Sequence, residues 1–210
     1  MTMLVKICGI NSPVACDTAV ASGADFLGFV FFARSPRHVT LAQAAALAAR
    51  APGGPQRVGL FVDPTEAAIA ETLAAVHLDA LQLYGRFDIA ALRARFGLPI
   101  WRAIGVTTAS DLPRDPAGAD RLLIEAKAPP DATRPGGNAQ TFDWSLLHNW
   151  QAPCPWMLAG GLHPDNVAAA IRATGAPAVD VSSGVETAPG VKDPDLIRRF
   201  VAAVRKQAAA

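Results

Sequence analysis

The chain has 210 residues, 51% of them hydrophobic, which is enough to bury a sizeable core, and barrels of this size commonly fold as one domain, so a single domain over 1–210 is expected. A formal net charge of +1 with no basic block excludes a nucleic-acid footprint or a polybasic membrane anchor and points to a small polar ligand. The three cysteines, Cys8, Cys16 and Cys154, are odd in number and not spaced as metal pairs, so neither a disulfide framework nor a metal site is expected. No segment approaches the roughly 20 apolar residues of a membrane span, and the early run LVKICGI is too short for a signal sequence and carries a lysine. A cytoplasmic protein in a reducing compartment fits these features.

In chain order, short runs rich in Val, Leu, Ile and Phe alternate with alanine-rich stretches that read as helices. LVKICGI is a strand. The next stretch, SPVACDTAVASGA, reads as a helix with Ser12 as cap, Pro13 at its first position and Gly23 closing it. DFLGFVFF is a second strand, a helix starts after Thr40, and RVGLFV is a third strand. LQLYG, PIWRAIGV and RLLIEAK continue the series, with a weak helix near ASDLPRDPAGA. TFDWSLLHNW, WMLAGG, HPDNVAAAIRATG, AVDVSSG and DPDLIRRFVAAVRKQ complete it. About eight strands, each followed by a helix or a helix-like connection, suit a single α/β (β/α)8 TIM barrel, with an open doubly wound sheet as the alternative.

One connection stands out, residues 128–140, APPDATRPGGNAQ, which is long and rich in Pro, Gly and Asp. Because it follows a strand, a barrel would hang it over the catalytic mouth as a lid, whereas an interdomain linker is the other reading. Two late strands end in small residues: Gly160 and Gly161 in LAGGLHPDN, then Ser182, Ser183 and Gly184 in DVSSGVE. Glycines admit a phosphate close to the backbone, serine hydroxyls add donors, and consecutive late loops match the usual phosphate site of such barrels. A lone glycine pair would read as a turn; two such loops in this order read as a phosphate site.

Seven blocks in order, VKICGI, GADFLGFVFFARSPRHV, VGLFVD, LQLYG, GGNAQTFDWSLL, LAGGLHPDNV and VDVSSGVETAPGVKD, resemble the phosphoribosylanthranilate isomerase family of tryptophan biosynthesis and span about residues 5–193. The resemblance implies a (β/α)8 barrel that needs no cofactor. It also implies an Amadori rearrangement of N-(5-phosphoribosyl)anthranilate to 1-(2-carboxyphenylamino)-1-deoxyribulose 5-phosphate. Its partner is then a phosphosugar small molecule, and a monomer and a homodimer are equally compatible with the sequence.

That reaction needs an acid at the ribose ring oxygen and a base at C2. Cys8 falls at the family's general-base position, and Lys6, two residues back on the same strand face, is placed to favour its thiolate and to belong to the substrate pocket. A small buried hydrophobe is the structural alternative for Cys8. Glu125 stands where the family has an aspartate acid; a carboxylate paired with Lys127 or Arg121 is the structural alternative. Arg37 matches the position that binds the anthranilate carboxylate, which suits a planar two-pronged donor; otherwise it is an exposed loop arginine. Tyr84 replaces a pocket histidine and is either a substrate contact or core, while Asp180 is placed to meet a sugar hydroxyl or to act structurally. Ala139 stands where the lid often has a second glycine, which restricts that loop. These departures leave two further readings open, a related phosphate-binding isomerase of another phosphosugar amine and a paralogue that binds phosphosugars without turnover.

Overall fold

Strand residues alternate between two buried environments, and that alternation builds the molecule. The structure, a computed structural model, describes residues 3–208. Its parallel strands are β1 (Leu4–Cys8), β2 (Phe26–Val30), β3 (Gln56–Val62), β4 (Ala80–Tyr84), β5 (Ile100–Val106), β6 (Arg121–Ala126), β7 (Trp156–Leu158) and β8 (Ala178–Val181). They pair in chain order and close when β8 pairs with β1, setting Lys6 opposite Asp180. Closure removes both sheet edges, so the expected (β/α)8 barrel forms and the open sheet does not.

Along β1, Val5 and Ile7 join the large outer cluster that packs under the helices, whereas Leu4 lies against the inner one. Inside the barrel, Phe26, Val58, Ala80, Trp101, Leu123, Met157 and Ala178 fill the lower layers. The Arg121 guanidinium stacks there on the Phe26 and Trp101 rings, 5.4 and 5.0 Å from their centroids. Both faces of each strand are therefore buried, which is why these runs are nearly continuous in apolar residues.

The helices start where the sequence signals them. Ser12 accepts from the Ala15 N–H at the head of α1 (Pro13–Ala21), with Pro13 in the first turn. Thr40 and Gln43 form a reciprocal capping box on α2 (Leu41–Ala48). Next come α3 (Glu66–Ala75), α4 (Ile89–Phe96), α5 (Val167–Thr174) and α6 (Pro194–Ala208), the last being the longest among the described residues. No described helix is long and apolar enough to cross a membrane.

Two connections are shorter than the sequence rhythm predicts. The weak helix near residues 109–119 is a single 3-10 turn, Ala109–Asp111, because Pro113 and Pro116 remove the backbone donors a longer helix needs. Between β6 and β7 the chain forms only the 3-10 turn Trp144–Leu147, capped by Asp143. After β8 the 3-10 turn Ser183–Val185 leads into a small antiparallel hairpin, β9 (Glu186–Ala188) and β10 (Val191–Lys192), which the sequence reading did not anticipate.

Candidate active site

The C-terminal ends of the strands and their loops enclose a cavity of about 620 Å³, counted to its open mouth. Of the residues singled out in the sequence, Cys8, Arg37, Tyr84, Glu125, Gly160, Gly161, Asp180, Ser182 and Ser183 line it. Lys6 lies one layer deeper and is wholly buried. Gly184 stands behind the wall: a Cβ there would meet the Leu162 carbonyl oxygen at 1.8 Å, so this glycine lets the loops after β7 and β8 pack backbone to backbone.

Lys6 Nζ donates to Asp180 Oδ1 at 2.9 Å, a buried ion pair across the seam that closes the barrel. Burial works against the Lys6 ammonium, but Asp180 and then Cys8 more than offset it, and its pKa is raised. Burial also pushes the Cys8 thiol up, and the pull of Lys6 in the other direction does not cancel this. Lys6 therefore opposes the desolvation of the thiolate without making it the resting state; its main partner is Asp180. Space for the pair comes from Gly28 on β2, where a Cβ would stand 2.8 Å from Cys8 Sγ and 3.1 Å from Lys6 Nζ.

Glu125 projects from β6, three strands from Cys8 around the wall. Neither suggested structural partner meets it: Arg121 stacks at the far end of the barrel, and Lys127 is exposed. Its neighbour is Tyr84 on β4, whose hydroxyl also accepts from Gln82 Nε2 at 3.4 Å. Burial raises the Glu125 pKa to about 8 against the opposing pull of the Tyr84 phenol, so the carboxyl is protonated at neutral pH. Burial, then Glu125, pushes Tyr84 well above its ordinary value.

The loop after β2 turns Arg37 inward, and the side chain is buried rather than exposed. Its Nε and Nη2 grip Glu186 Oε1 and Oε2 at 2.7 and 2.8 Å. The two-pronged edge anticipated for a ligand is thus occupied by the protein, leaving the end bearing Nη1. Lys192 Nζ joins the cluster, donating to Glu186 Oε1 at 2.7 Å and to the Ser182 carbonyl at 2.8 Å. Burial lowers the Lys192 pKa to about 8 even though Glu186 favours its charge. Glu186 and Lys192 were visible within quoted blocks, but their role depends on the hairpin that folds them back. Nothing in the sequence marked Gly28.

The segment 128–140 lies over this constellation. A Cβ on Gly136 would stand 2.7 Å from the Tyr84 hydroxyl and 2.8 Å from Glu125 Oε1, and one on Gly137 would stand 2.6 Å from Arg37 Nη1. These glycines let the covering backbone rest directly on the acid and the arginine. In the loops after β7 and β8, the N–H groups of Gly160, Gly161, Ser183 and Gly184 have no protein acceptor among the described residues. The Ser182 hydroxyl donates to the Cys8 carbonyl at 3.1 Å, tying the end of β8 to the end of β1. The site thus brings backbone N–H groups suited to an anion, a buried guanidinium, a thiol and a protonated carboxyl to the wall of one cavity.

The model of the N-(5'-phosphoribosyl)anthranilate (PRA) isomerase family matches residues 5–203. The N-(5'-phosphoribosyl)anthranilate isomerase of Acidiphilium cryptum is 57% identical over 201 residues, covering 94% of this chain and 96% of its own. The phosphoribosyl anthranilate isomerase of Thermotoga maritima superposes with a TM-score of 0.86 at 35% identity, covering 98% of this chain and 100% of its own. A phosphoribosyl anthranilate isomerase in complex with reduced 1-(o-carboxyphenylamino)-1-deoxyribulose 5-phosphate superposes with a TM-score of 0.83 at 33% identity, with 98% and 100% coverage. Likeness over nearly the whole length, in sequence and in barrel, places the chain in the N-(5'-phosphoribosyl)anthranilate isomerase family.

Proposed function

We propose that the cavity performs the family's Amadori rearrangement with Cys8 as general base and Glu125 as general acid. The chain is an isomerase of tryptophan biosynthesis by its family. The observation that carries the residue assignment is the pairing of a carboxyl whose pKa is raised to about 8 with a thiol on a different part of the same cavity wall. An acid that keeps its proton at neutral pH is what ring opening needs.

In the proposed course, the phosphate of N-(5-phosphoribosyl)anthranilate takes the N–H groups of the Gly160–Gly161 and Ser183–Gly184 loops. The remaining edge of Arg37 holds the anthranilate carboxylate. The anilino nitrogen lone pair forms the C1–N double bond as the C1–O bond breaks, and Glu125 gives its proton to the departing ring oxygen. Cys8, in the minor thiolate form that Lys6 favours, removes the C2 proton; the electron pair forms the C1–C2 double bond and the iminium becomes an enolamine. Protonation at C1 and loss of the enol proton give the ketone. Tyr84 orients the Glu125 carboxyl, and the Lys6–Asp180 pair holds the ammonium under Cys8.

The test follows anthranilate fluorescence during turnover of phosphoribosylanthranilate generated in situ, with spontaneous breakdown as the blank. Cys8→Ala and Glu125→Gln are each expected to lower kcat by about 100-fold or more while the affinity for the reduced product analogue changes little. Wild-type kcat in either variant removes that residue from its role. Analogue binding by a wild-type protein with no turnover would favour the paralogue reading instead.

A further inference from the structure

The mouth of the cavity carries more positive charge than its own protein partners balance. Arg37 and Arg134 line the cavity and Lys192 is buried behind its wall, and Glu186 is the carboxylate that pairs with Arg37 and Lys192. Arg134 comes from the segment covering the site and lines the cavity. Its Nη2 makes one long bond, 3.3 Å, to the Gly137 carbonyl. Its Nε is buried without any hydrogen-bond partner among the described residues. Leaving a guanidinium N–H buried and unmet is costly, and such groups in native proteins usually await a ligand, ion or water.

The placement is specific. Gly137 lies beside both arginines: Arg134 reaches its carbonyl, and a Cβ on it would stand 2.6 Å from Arg37 Nη1. Burial lowers the Arg134 pKa, and the positive charge of Arg37 lowers it further, so the two guanidiniums feel each other. With the fork of Arg37 taken by Glu186, one end of one guanidinium is left for a carboxylate that has four lone-pair sites.

We propose that Arg134 is a second carboxylate-binding residue, which engages the anthranilate carboxylate together with Arg37 and makes closure of segment 128–140 depend on that group. This rests on the reading that the substrate is a phosphoribosylanthranilate whose carboxylate lies at Arg37. An anion held from the cavity by both guanidiniums relieves their repulsion, meets the orphan Nε, and fixes the segment whose Gly136 rests on Glu125. The same contact would thus bind substrate and seal the acid from water.

The test measures inhibition by two compounds in wild type, Arg134→Ala and Arg134→Lys: reduced 1-(o-carboxyphenylamino)-1-deoxyribulose 5-phosphate, and the same molecule built from aniline, which lacks the carboxylate. Wild type is expected to prefer the carboxylate compound strongly. Arg134→Ala should weaken it by about tenfold or more, with a parallel rise in KM exceeding any fall in kcat, and leave the aniline compound nearly unaffected. Arg134→Lys should recover part of the loss. Equal weakening of both compounds, or of neither, overturns the proposal, since Arg134 would then only hold the segment or do nothing. A wild-type protein that fails to distinguish the two compounds overturns the functional reading itself, and this proposal with it.

Discussion

Lys6 and Cys8 share the inner face of β1, and neither is usable without Gly28 beside them. A buried ammonium is tolerable because Asp180 meets it at 2.9 Å; removing one member of such a pair leaves an uncompensated charge and typically costs about 3–5 kcal/mol. The thiol has a pKa above its ordinary value, so small changes in its distance to Lys6 matter. Gly28→Ala is expected to push Cys8 and Lys6 apart and to lower kcat by about tenfold or more, with far-ultraviolet circular dichroism unchanged. A Gly28→Ala protein with wild-type kcat would show that the thiol can move without penalty. At this scale the sequence displayed Lys6, Cys8 and Glu125 by their place on strands and Arg37 through the family resemblance. It did not display Gly28, Glu186 or Arg134, because a glycine in a strand, a carboxylate in a hairpin and an arginine in a loop carry no periodic signal until their neighbours are known.

The segment between β6 and β7 is the element on which the chemistry depends most. It contains little regular structure beyond the turn Trp144–Leu147, yet its glycines rest on Glu125, Tyr84 and Arg37. Ala139 within it has φ +56°, a left-handed conformation that costs a residue bearing a Cβ roughly 1–2 kcal/mol. Ala139→Gly should relieve this and raise stability by about 1 kcal/mol, partly countered by a more flexible unfolded chain, as measured by the urea midpoint. An unchanged or lower midpoint would show that the strain is absorbed elsewhere. The element pattern was legible where capping is local, as at Ser12 and Thr40. It failed over residues 109–119, where alanines suggested a helix that the prolines forbid, and at the β9–β10 hairpin, whose strands of 3 and 2 residues are too short to alternate visibly.

For the whole molecule, barrel closure sets the dielectric in which every site group ionises. Glu125 has its folded pKa raised from 4.5 to about 8 chiefly by burial. The folded state thus holds a proton that the unfolded chain has released between those values, and stability must fall as pH rises through that window. The contribution is complete below about 4.5 and lost above about 8. Glu125→Gln, which has no charge to bury, should therefore gain on wild type in urea midpoint steadily from pH 5 to pH 8. Parallel pH profiles for the two proteins would mean that the carboxyl is solvated in the folded state. The sequence by itself determined the alternation of apolar strands and capped helices, the small-residue loops late in the chain and the chemical types at strand ends, because these are set by side-chain period and local backbone geometry. Only the tertiary structure decided that Arg37 spends its fork on Glu186, that Lys6 belongs first to Asp180, and that Arg134 comes in over the site. Those pairings join residues as far as 174 positions apart in the chain, and no local pattern encodes which charge will be left over when a barrel closes.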